Sequence, residues 1–385
     1  MSQTKHFSYS PDRRVMAFFF AQSMSVGLAN SFAGIWFDSR GLSAAQIGVI
    51  NAVPVFVLLL VSLSVGKIAD RSKDWRHVII VGAILSALFP MFLFGVSSFT
   101  GTLVFWTLAV IAQWAIVPVA DAAALRFGRR QGVDLGRYRA WGTIGYLLVI
   151  FLAGYFFDAF DIALFLPIFV ALCLVRAVTA LALPPLRDQE PREHDHKPSH
   201  LHAVLKPWFL MPIVGWAMVY ATHLVLNAFQ GLLWSQQGIS NSAIGTLIGL
   251  GAVAETVMFF AFGRFFKRYS ARNMILLAAI VSVIRWVAMS YAPGLGILVG
   301  LQLLHSITYA FGFLACTNFI ANGTSDDIAA QAQSLLVTLE QAIAIVALIA
   351  FGWFAGRWGA GAYWVSAGVA GIGAVLVFMS GKPKT

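Results

Sequence analysis

The stretch VPVFVLLLVSLSVGKIADRSK, residues 53–73, decides the fold. Its first part, residues 53–65, is almost entirely apolar. Its second part carries Lys67, Asp70, Arg71 and Lys73 within a few positions. A long apolar run that ends abruptly in basic residues is typical of a membrane-spanning helix that reaches the cytoplasmic surface.

The composition of the whole chain extends this interpretation. Of its 385 residues, 59% are hydrophobic and only 11% are charged, whereas soluble domains average about 25% charged residues. A spanning helix needs about 20 residues. Twelve apolar segments meet this requirement, near 14–37, 44–66, 77–97, 101–126, 138–157, 161–183, 208–232, 242–263, 272–291, 295–321, 328–356 and 358–380. The sequence therefore predicts an all-α membrane protein with twelve transmembrane helices.

The basic residues predict how these helices cross the membrane. Most of the 26 Lys and Arg residues lie in alternate connections, including clusters near residues 67–76, 126–137, 187–206 and 264–272. Only Arg40 and Arg357 fall in the opposite connections. We expect the protein in the inner (plasma) membrane. By the positive-inside rule, both termini are expected in the cytoplasm. This distribution also explains the net charge of +10 without a nucleic-acid partner.

A repeat divides the chain into halves. Gly41 and Gly238 lie in similar turn sequences 197 positions apart, and Gly66 and Gly263 have the same offset. We therefore expect a six-helix bundle at 1–183, a cytoplasmic linker at 184–207 and a second bundle at 208–385, as in transporters with duplicated halves. The linker contains histidines that suit either a solvated segment or, less simply, a metal site: His194, His196, His200 and His202.

Ionisable residues inside predicted helices are the candidate functional groups, because a charge in lipid is costly and usually faces a cavity or a partner. Asp121 and Arg139 flank the connection between the fourth and fifth spans, at one depth. They are expected either to bind substrate or to form an interfacial salt bridge. Arg176 lies near a helix end, from which its side chain is expected to reach the surface.

The second half contains a further set of such residues. Glu255, Arg285 and His305 each fall near mid-membrane, so we expect them to form one cluster, which is either a functional site or a structural buried pair. His223 and Glu340 have similar predicted depths, and we predict that they pair. The alternative for Glu340 is a protonated carboxyl group bonded to the backbone.

These residues lie in recognisable motifs. Asp121 followed by the run GRYRAWGTIG at 136–145, and Glu255, Arg285 and the run QLLHSIT at 302–308, resemble the phenylpropionate permease family and the related lactose-permease type of proton symporters, within the major facilitator superfamily. The resemblance implies substrate binding by Asp121, Arg139, Trp141, Glu255 and Arg285. It also implies proton coupling by Glu255, His305, Thr308, His223 and Glu340.

Three positions depart from the lactose-permease pattern. Thr308 stands where that type has a second acid, Glu340 where it has a base, and His223 where it has an acid. Its proton route therefore does not transfer unchanged to this chain.

The segment GKIADRSK at 66–73 resembles the loop signature of the superfamily between the second and third spans. The resemblance implies a conformational latch made by Gly66, Asp70 and Arg71, in which glycine permits a tight turn or close helix approach. The alternative is a solvated loop that only fixes topology.

The residues thus favour a secondary transporter that moves a small organic solute, similar to an aromatic acid, by alternating access with proton symport. An oligosaccharide or nucleoside symporter of the same fold and a non-transporting membrane sensor are the alternatives. Neither HExxH nor GxSxG occurs, so no enzyme is expected, nor a cofactor or metal. The expected partners are substrate, protons and lipid around a monomer. Aromatic candidates for contact with substrate are Trp36, Trp141, Tyr220, Phe229, Trp286 and Tyr309.

Overall fold

The computed structural model describes residues 10–186, 206–266 and 268–381. Within these ranges the regular structure is helical, which confirms the predicted all-α membrane fold. Most of the predicted linker, with its four histidines, lies outside the described residues. The helices are α1 Pro11–Ser39, α2 Ala44–Arg71, α3 Trp75–Met91, α4 Phe99–Trp114, α5 Val117–Gln131, α6 Leu135–Ala159, α7 Phe165–Leu181, α8 Pro207–Gln236, α9 Asn241–Phe265, α10 Ala271–Ser290, α11 Leu295–Leu303, α12 Gly312–Gly323, α13 Asp326–Trp358 and α14 Tyr363–Met379.

The described helices form 11 stretches that are long and apolar enough to cross a membrane. The last stretch, Gln331–Met379, is 49 residues long and contains most of α13 and all of α14. Gly359, with a φ of 53°, separates the two, so dividing the stretch there gives the twelve predicted crossings. Large apolar side chains such as Phe260 and Phe378 are 84% and 72% exposed, as expected for helix faces that contact lipid.

The sequence repeat has the same backbone geometry at both copies. Gly41 and Gly238 have φ values of 77° and 79°. In each copy the residue after the glycine donates its N–H back across the end of the helix, from Leu42 to the carbonyl of Phe37 at 3.1 Å and from Ile239 to that of Trp234 at 3.0 Å. A left-handed residue that closes a helix in this way favours glycine, which explains why both copies have it.

The chain forms two compact units. Unit 1 contains Met1–Ala29, Leu60–Leu152 and Ala163–Arg192, and unit 2 contains Asn30–Leu59, Ala153–Ile162 and Glu193–Thr385. Unit 2 therefore includes one end of each of α1, α2 and α6 together with α8 to α14. The domain boundaries at 183 and 208 stay a prediction.

In unit 1, one carboxylate ties the start of α3 to the end of α7. Asp74 caps α3 by accepting from the Arg76 N–H at 3.0 Å, and both of its oxygens accept from the Leu186 N–H at 3.2 Å. Arg130 Nη2 donates to the Leu186 carbonyl at 3.0 Å. These bonds satisfy the Arg76 N–H at the start of α3 and both backbone groups of Leu186, five residues beyond α7.

The predicted latch segment also lies in unit 1, and two expectations about it are wrong. It is not a loop, because α2 continues through Arg71. Gly66 makes neither a tight turn nor a close helix contact, since a Cβ added there would meet no atom within 4 Å. The latch role of Gly66, Asp70 and Arg71 stays a prediction.

In unit 2, helix ends meet through glycines. A Cβ added at Gly48 of α2 would lie 2.6 Å from the Leu348 carbonyl oxygen of α13. A Cβ added at Gly231 of α8 would clash with the Ser31 carbonyl oxygen of α1. Gly154 of α6 approaches Asn241 at the start of α9 in the same way, at 2.6 Å. Backbones can come this close only where no side chain intervenes.

Asp158 adds two hydrogen bonds to the contact between α6 and α9. Its carboxylate oxygens accept from the Asn241 N–H at 2.8 Å and the Ser242 N–H at 2.9 Å. The negative charge thereby lies at the positive end of the α9 dipole.

Candidate functional site

Arg285 of α10 is the centre of a buried polar network in unit 2. Its side chain is fully buried. Nη2 donates to Oε1 of Gln302 at 2.6 Å, and Nη1 bonds Nδ1 of His305 at 3.1 Å and Oγ1 of Thr308 at 3.2 Å. Gln302 in turn donates to the Leu247 carbonyl of α9 at 3.1 Å. The guanidinium is therefore held by neutral groups from α11 and the segment that follows it.

These bonds determine where the protons of His305 are. Because Arg285 can only donate, Nδ1 of His305 accepts and the ring proton is on Nε2. Nε2 lies 3.5 Å from Oε2 of Glu255, whose side chain is 25% exposed. Glu255, His305 and Arg285 thus form a chain that runs from an accessible carboxylate to a buried guanidinium. The structure brings together the three residues that the sequence predicted as a cluster.

The backbone beside this cluster departs from an α-helix. Ser306–Phe311 forms a single π-helical segment between α11 and α12, where the sequence predicted one uninterrupted helix. It follows His305 directly and contains Thr308 and Tyr309. Such segments occur frequently at functional sites. Neither glycine nor proline occurs within it to signal the departure.

Thr308 connects Arg285 to α8. Nδ1 of His223 lies 2.9 Å from the Val219 carbonyl, which can only accept, so Nδ1 carries the proton and Nε2 is the acceptor. Nε2 lies 2.9 Å from Oγ1 of Thr308. The Thr308 hydroxyl therefore donates to His223 while it accepts from Arg285, and all three side chains are buried.

The predicted pairing of His223 with Glu340 is wrong. Glu340 of α13 accepts instead from Nε1 of Trp216 at 3.0 Å. Trp216 and His223 are seven residues apart on one face of α8, or about 10 Å along the axis. The prediction assumed that α8 and α13 begin at one level. Counted from the first residue of each helix, Trp216 and Glu340 differ by about 7 Å, so the helix starts are offset.

Aromatic rings surround the network. The Tyr309 ring stacks on the His305 ring at 5.5 Å and 3°, and the Tyr220 ring lies 5.9 Å from Tyr309. Both tyrosines are half-buried. Trp286, under the Arg285 guanidinium at 4.8 Å, is completely buried, and so is Phe229. Of the aromatic candidates in unit 2, Tyr220 and Tyr309 are thus the ones with accessible surface beside the cluster, while Trp36, Phe229 and Trp286 pack.

The site residues predicted in unit 1 also come together. Nη2 of Arg139 lies 2.8 Å from Oδ2 of Asp121, with side-chain exposures of 62% and 27%. Trp141 is exposed and lines a cavity of about 640 Å³ between α1 and α6, together with Phe20, Arg13 and Arg137. The ion pair is compatible with either of its predicted roles.

The sequence did not assign two residues that the structure places in these networks. Gln302, one turn before His305, carries the shortest bond to Arg285, and its polar side chain within an apolar run was the available signal. Trp216 binds Glu340, and nothing in the sequence distinguishes it from the other tryptophans.

Comparison with known proteins identifies the family. A model of the MFS_1 like family matches residues 13–370. The chain belongs to this family. This MFS_1-like protein is 29% identical over 361 residues to the "Probable 3-phenylpropionic acid transporter" of Escherichia coli (strain K12), covering 91% of this chain and 93% of that one. It is 27% identical to the maltose permease of Geobacillus stearothermophilus, over 71% and 72% of the two chains.

Solved structures show the same fold. The crystal structure of nucleoside transporter NupG superposes with a TM-score of 0.83, covering 97% of this chain and 98% of that chain at 17% identity. At this identity the likeness shows the fold alone. The MFS_1-like protein is therefore a multi-pass membrane transporter of the major facilitator type and not an enzyme.

Proposed function

We propose that this transporter moves a small organic acid of the aromatic carboxylate class by alternating access, coupled to proton symport. The observation that carries the proposal is the buried Arg285 guanidinium, whose bonded partners His305, Thr308 and Gln302 are all neutral. A buried cation without a carboxylate partner suits an anionic substrate, because the fork of guanidinium donors matches a carboxylate. The name of the Escherichia coli relative, a probable 3-phenylpropionic acid transporter, supports the same class.

The aromatic part of the substrate would lie beside the accessible tyrosines. Tyr220 and Tyr309 are half-buried and adjoin His305. Offset or edge contacts between aromatic rings add favourable energy beyond the burial of their area. A substrate whose carboxylate binds Arg285 and whose ring packs against Tyr309 would be a short aromatic acid.

Coupling to protons follows from competition at Arg285. In the unliganded network, Nη1 of Arg285 donates a hydrogen bond to Nδ1 of His305. Nδ1 therefore cannot take a proton. A substrate carboxylate that takes over Nη1 releases Nδ1, and His305 is then free to accept a proton. The resulting imidazolium pairs with ionised Glu255, which already lies 3.5 Å away. Substrate and proton thus bind together, which is the requirement for symport.

The test is substrate binding and uptake in proteoliposomes with and without an inward proton gradient. 3-Phenylpropionate is the probe, and its uncharged amide is the matched control. We expect the acid, and not the amide, to bind with uptake of one proton and to accumulate when the gradient is imposed. Glu255→Gln should abolish gradient-driven accumulation while retaining counterflow, because the imidazolium loses its charged partner.

Two results would overturn this proposal. One is an equal response to the acid and its amide, which would remove the role of the carboxylate. The other is binding of maltose or uridine, with no binding of 3-phenylpropionate, which would assign the chain to the sugar or nucleoside alternatives. Glu255→Gln with an unchanged pH profile of uptake would remove Glu255 from the coupling path.

We also propose that the chain is inserted in the plasma membrane with both termini on the cytoplasmic side. This orientation rests on the clustering of Lys and Arg in alternate connections. Labelling of single cysteines placed at Arg40 and at Arg129 with an impermeant thiol reagent tests it. Only the first is expected to react from outside.

A further inference from the structure

Arg176 of α7 is a buried cation that the proposed mechanism does not use. The expectation that its side chain reaches the surface is wrong, because the residue is 0% exposed. All three of its guanidinium nitrogens are buried without a hydrogen-bond partner among the described residues. It lies in unit 1, about 16 Å from the start of α7 and about 8 Å from the end.

The neighbouring helix contributes a second buried polar group at the same level. Ser25 of α1 lies beside Cys173 of α7, which shows that the two helices adjoin at this level. They are the first and sixth crossings and therefore run antiparallel. Gln22 precedes Ser25 by one turn and Arg176 follows Cys173 by one turn, so both lie one turn from this contact in the same direction.

Gln22 is also incompletely bonded. Its side chain is 8% exposed, and its Oε1 is buried without a hydrogen-bond partner in the part of the chain that the structure describes. The other face of α1 is already occupied, since a Cβ added at Gly27 would touch Val149 and Tyr146 of α6. Gln22 therefore lies on the same face of α1 as Ser25, three residues away, which is the side that adjoins Cys173.

Retaining such a charge has a cost that packing alone does not explain. Arginine keeps its charge in proteins, and an unpaired buried ion costs several kcal/mol. None of the described carboxylates forms an ion pair with Arg176. An apolar residue of similar volume would be cheaper for a purely structural position.

We propose that Arg176 and Gln22 bind a compact monovalent anion, either chloride or a carboxylate group. The guanidinium offers its full set of N–H donors. The Gln22 amide can rotate so that its NH₂ group, rather than its oxygen, points to the anion. Both side chains are buried, which limits the ligand to a small group. This site does not depend on the proposed substrate, since Arg285 belongs to unit 2.

Thermal unfolding of the purified protein tests the proposal. Sodium gluconate, whose anion is too large for the site, is replaced stepwise by sodium chloride or sodium formate at constant ionic strength. We expect a saturable rise in Tm of about 2–4 °C for the wild-type protein. Arg176→Met should be more stable than wild type in gluconate, because it removes the unpaired charge, and should not respond to chloride.

Further variants separate anion binding from a structural role. Arg176→Lys keeps the charge and should retain a weaker response, and Gln22→Leu should reduce the response while leaving the protein folded. Val178 of α7 is 64% exposed. Val178→Met is the matched control and should behave as wild type. If Arg176→Met does not fold, Gln22→Leu carries the test alone.

The anions identify the source of the ligand. A response to chloride and formate indicates a site for a free anion. A response to formate without a response to chloride indicates that a small carboxylate is the ligand. The proposal is overturned if wild type responds to neither chloride nor formate, or if Gln22→Leu responds as wild type does.

Discussion

Replacing Thr308 by valine removes one hydroxyl group and almost no volume. That hydroxyl donates to Nε2 of His223 at 2.9 Å and accepts from Nη1 of Arg285 at 3.2 Å. Interhelical hydrogen bonds in membranes contribute about 0.6 kcal/mol on average and about 1.7 kcal/mol at most. Two such bonds give an expected destabilisation of about 1–3 kcal/mol. The upper half of this range is expected, because His223 is buried and is left with an unpaired acceptor.

Reversible unfolding in mixed micelles with increasing dodecyl sulfate, followed by circular dichroism, measures this loss. Thr308→Ser keeps the hydroxyl and is the matched control, expected within about 0.5 kcal/mol of wild type. In the double variant with His223→Ala, the valine substitution should cost less than it does alone, because the lost bond is counted once. The reasoning is refuted if Thr308→Val is as stable as wild type, or if Thr308→Ser is as damaging as Thr308→Val.

Two further predictions concern other parts of the molecule. Asp121→Asn and Arg139→Gln are expected to lower substrate affinity in equilibrium binding while changing the free energy of unfolding by less than about 1 kcal/mol, because the pair is partly exposed; unchanged affinity in both would leave only a salt bridge. Gly154→Leu should destabilise the protein by about 1–3 kcal/mol in the same unfolding assay, since its Cβ would lie 2.6 Å from the Asn241 carbonyl oxygen. Gly300→Leu, where an added Cβ meets nothing within 4 Å, should not, and equal losses would contradict the close-contact argument.

The sequence predicted the helices well and the irregularities within them poorly. Apolar length and charge identify a crossing, because lipid imposes both. They do not identify where a helix changes its winding. The fourth crossing is broken between Trp114 and Val117, near Pro118, which lacks a backbone donor and was a readable signal. The π segment at Ser306–Phe311 adjoins the buried side chains that bond Arg285, and those contacts were not readable from local sequence.

Contacts in the candidate site were predictable where the two residues lie on helices joined by a short connection. They were not predictable where the two residues only have the same predicted depth in the membrane. Asp121 and Arg139 meet because α5 and α6 are joined directly. His223 and Glu340 do not meet, because depth counted along two distant helices ignores tilt and offset. For Arg176, a rule about helix ends failed because the side chain is completely buried and does not reach the membrane surface. Which face a residue occupies is a property of packing, which a single sequence does not state.

The contacts at Gly48, Gly154 and Gly231 have a consequence for how motion at this end of unit 2 depends on temperature. Each joins backbone to backbone, but the side chains beside these glycines are apolar and buried, including Ile47, Leu232 and Leu348. Separation of the helices would break the two bonds that Asp158 accepts from Asn241 and Ser242 and would also expose this apolar area. Heat capacity changes scale with the apolar area exposed. The rate of such a separation should therefore give a curved Eyring plot, as other steps that uncover apolar side chains do.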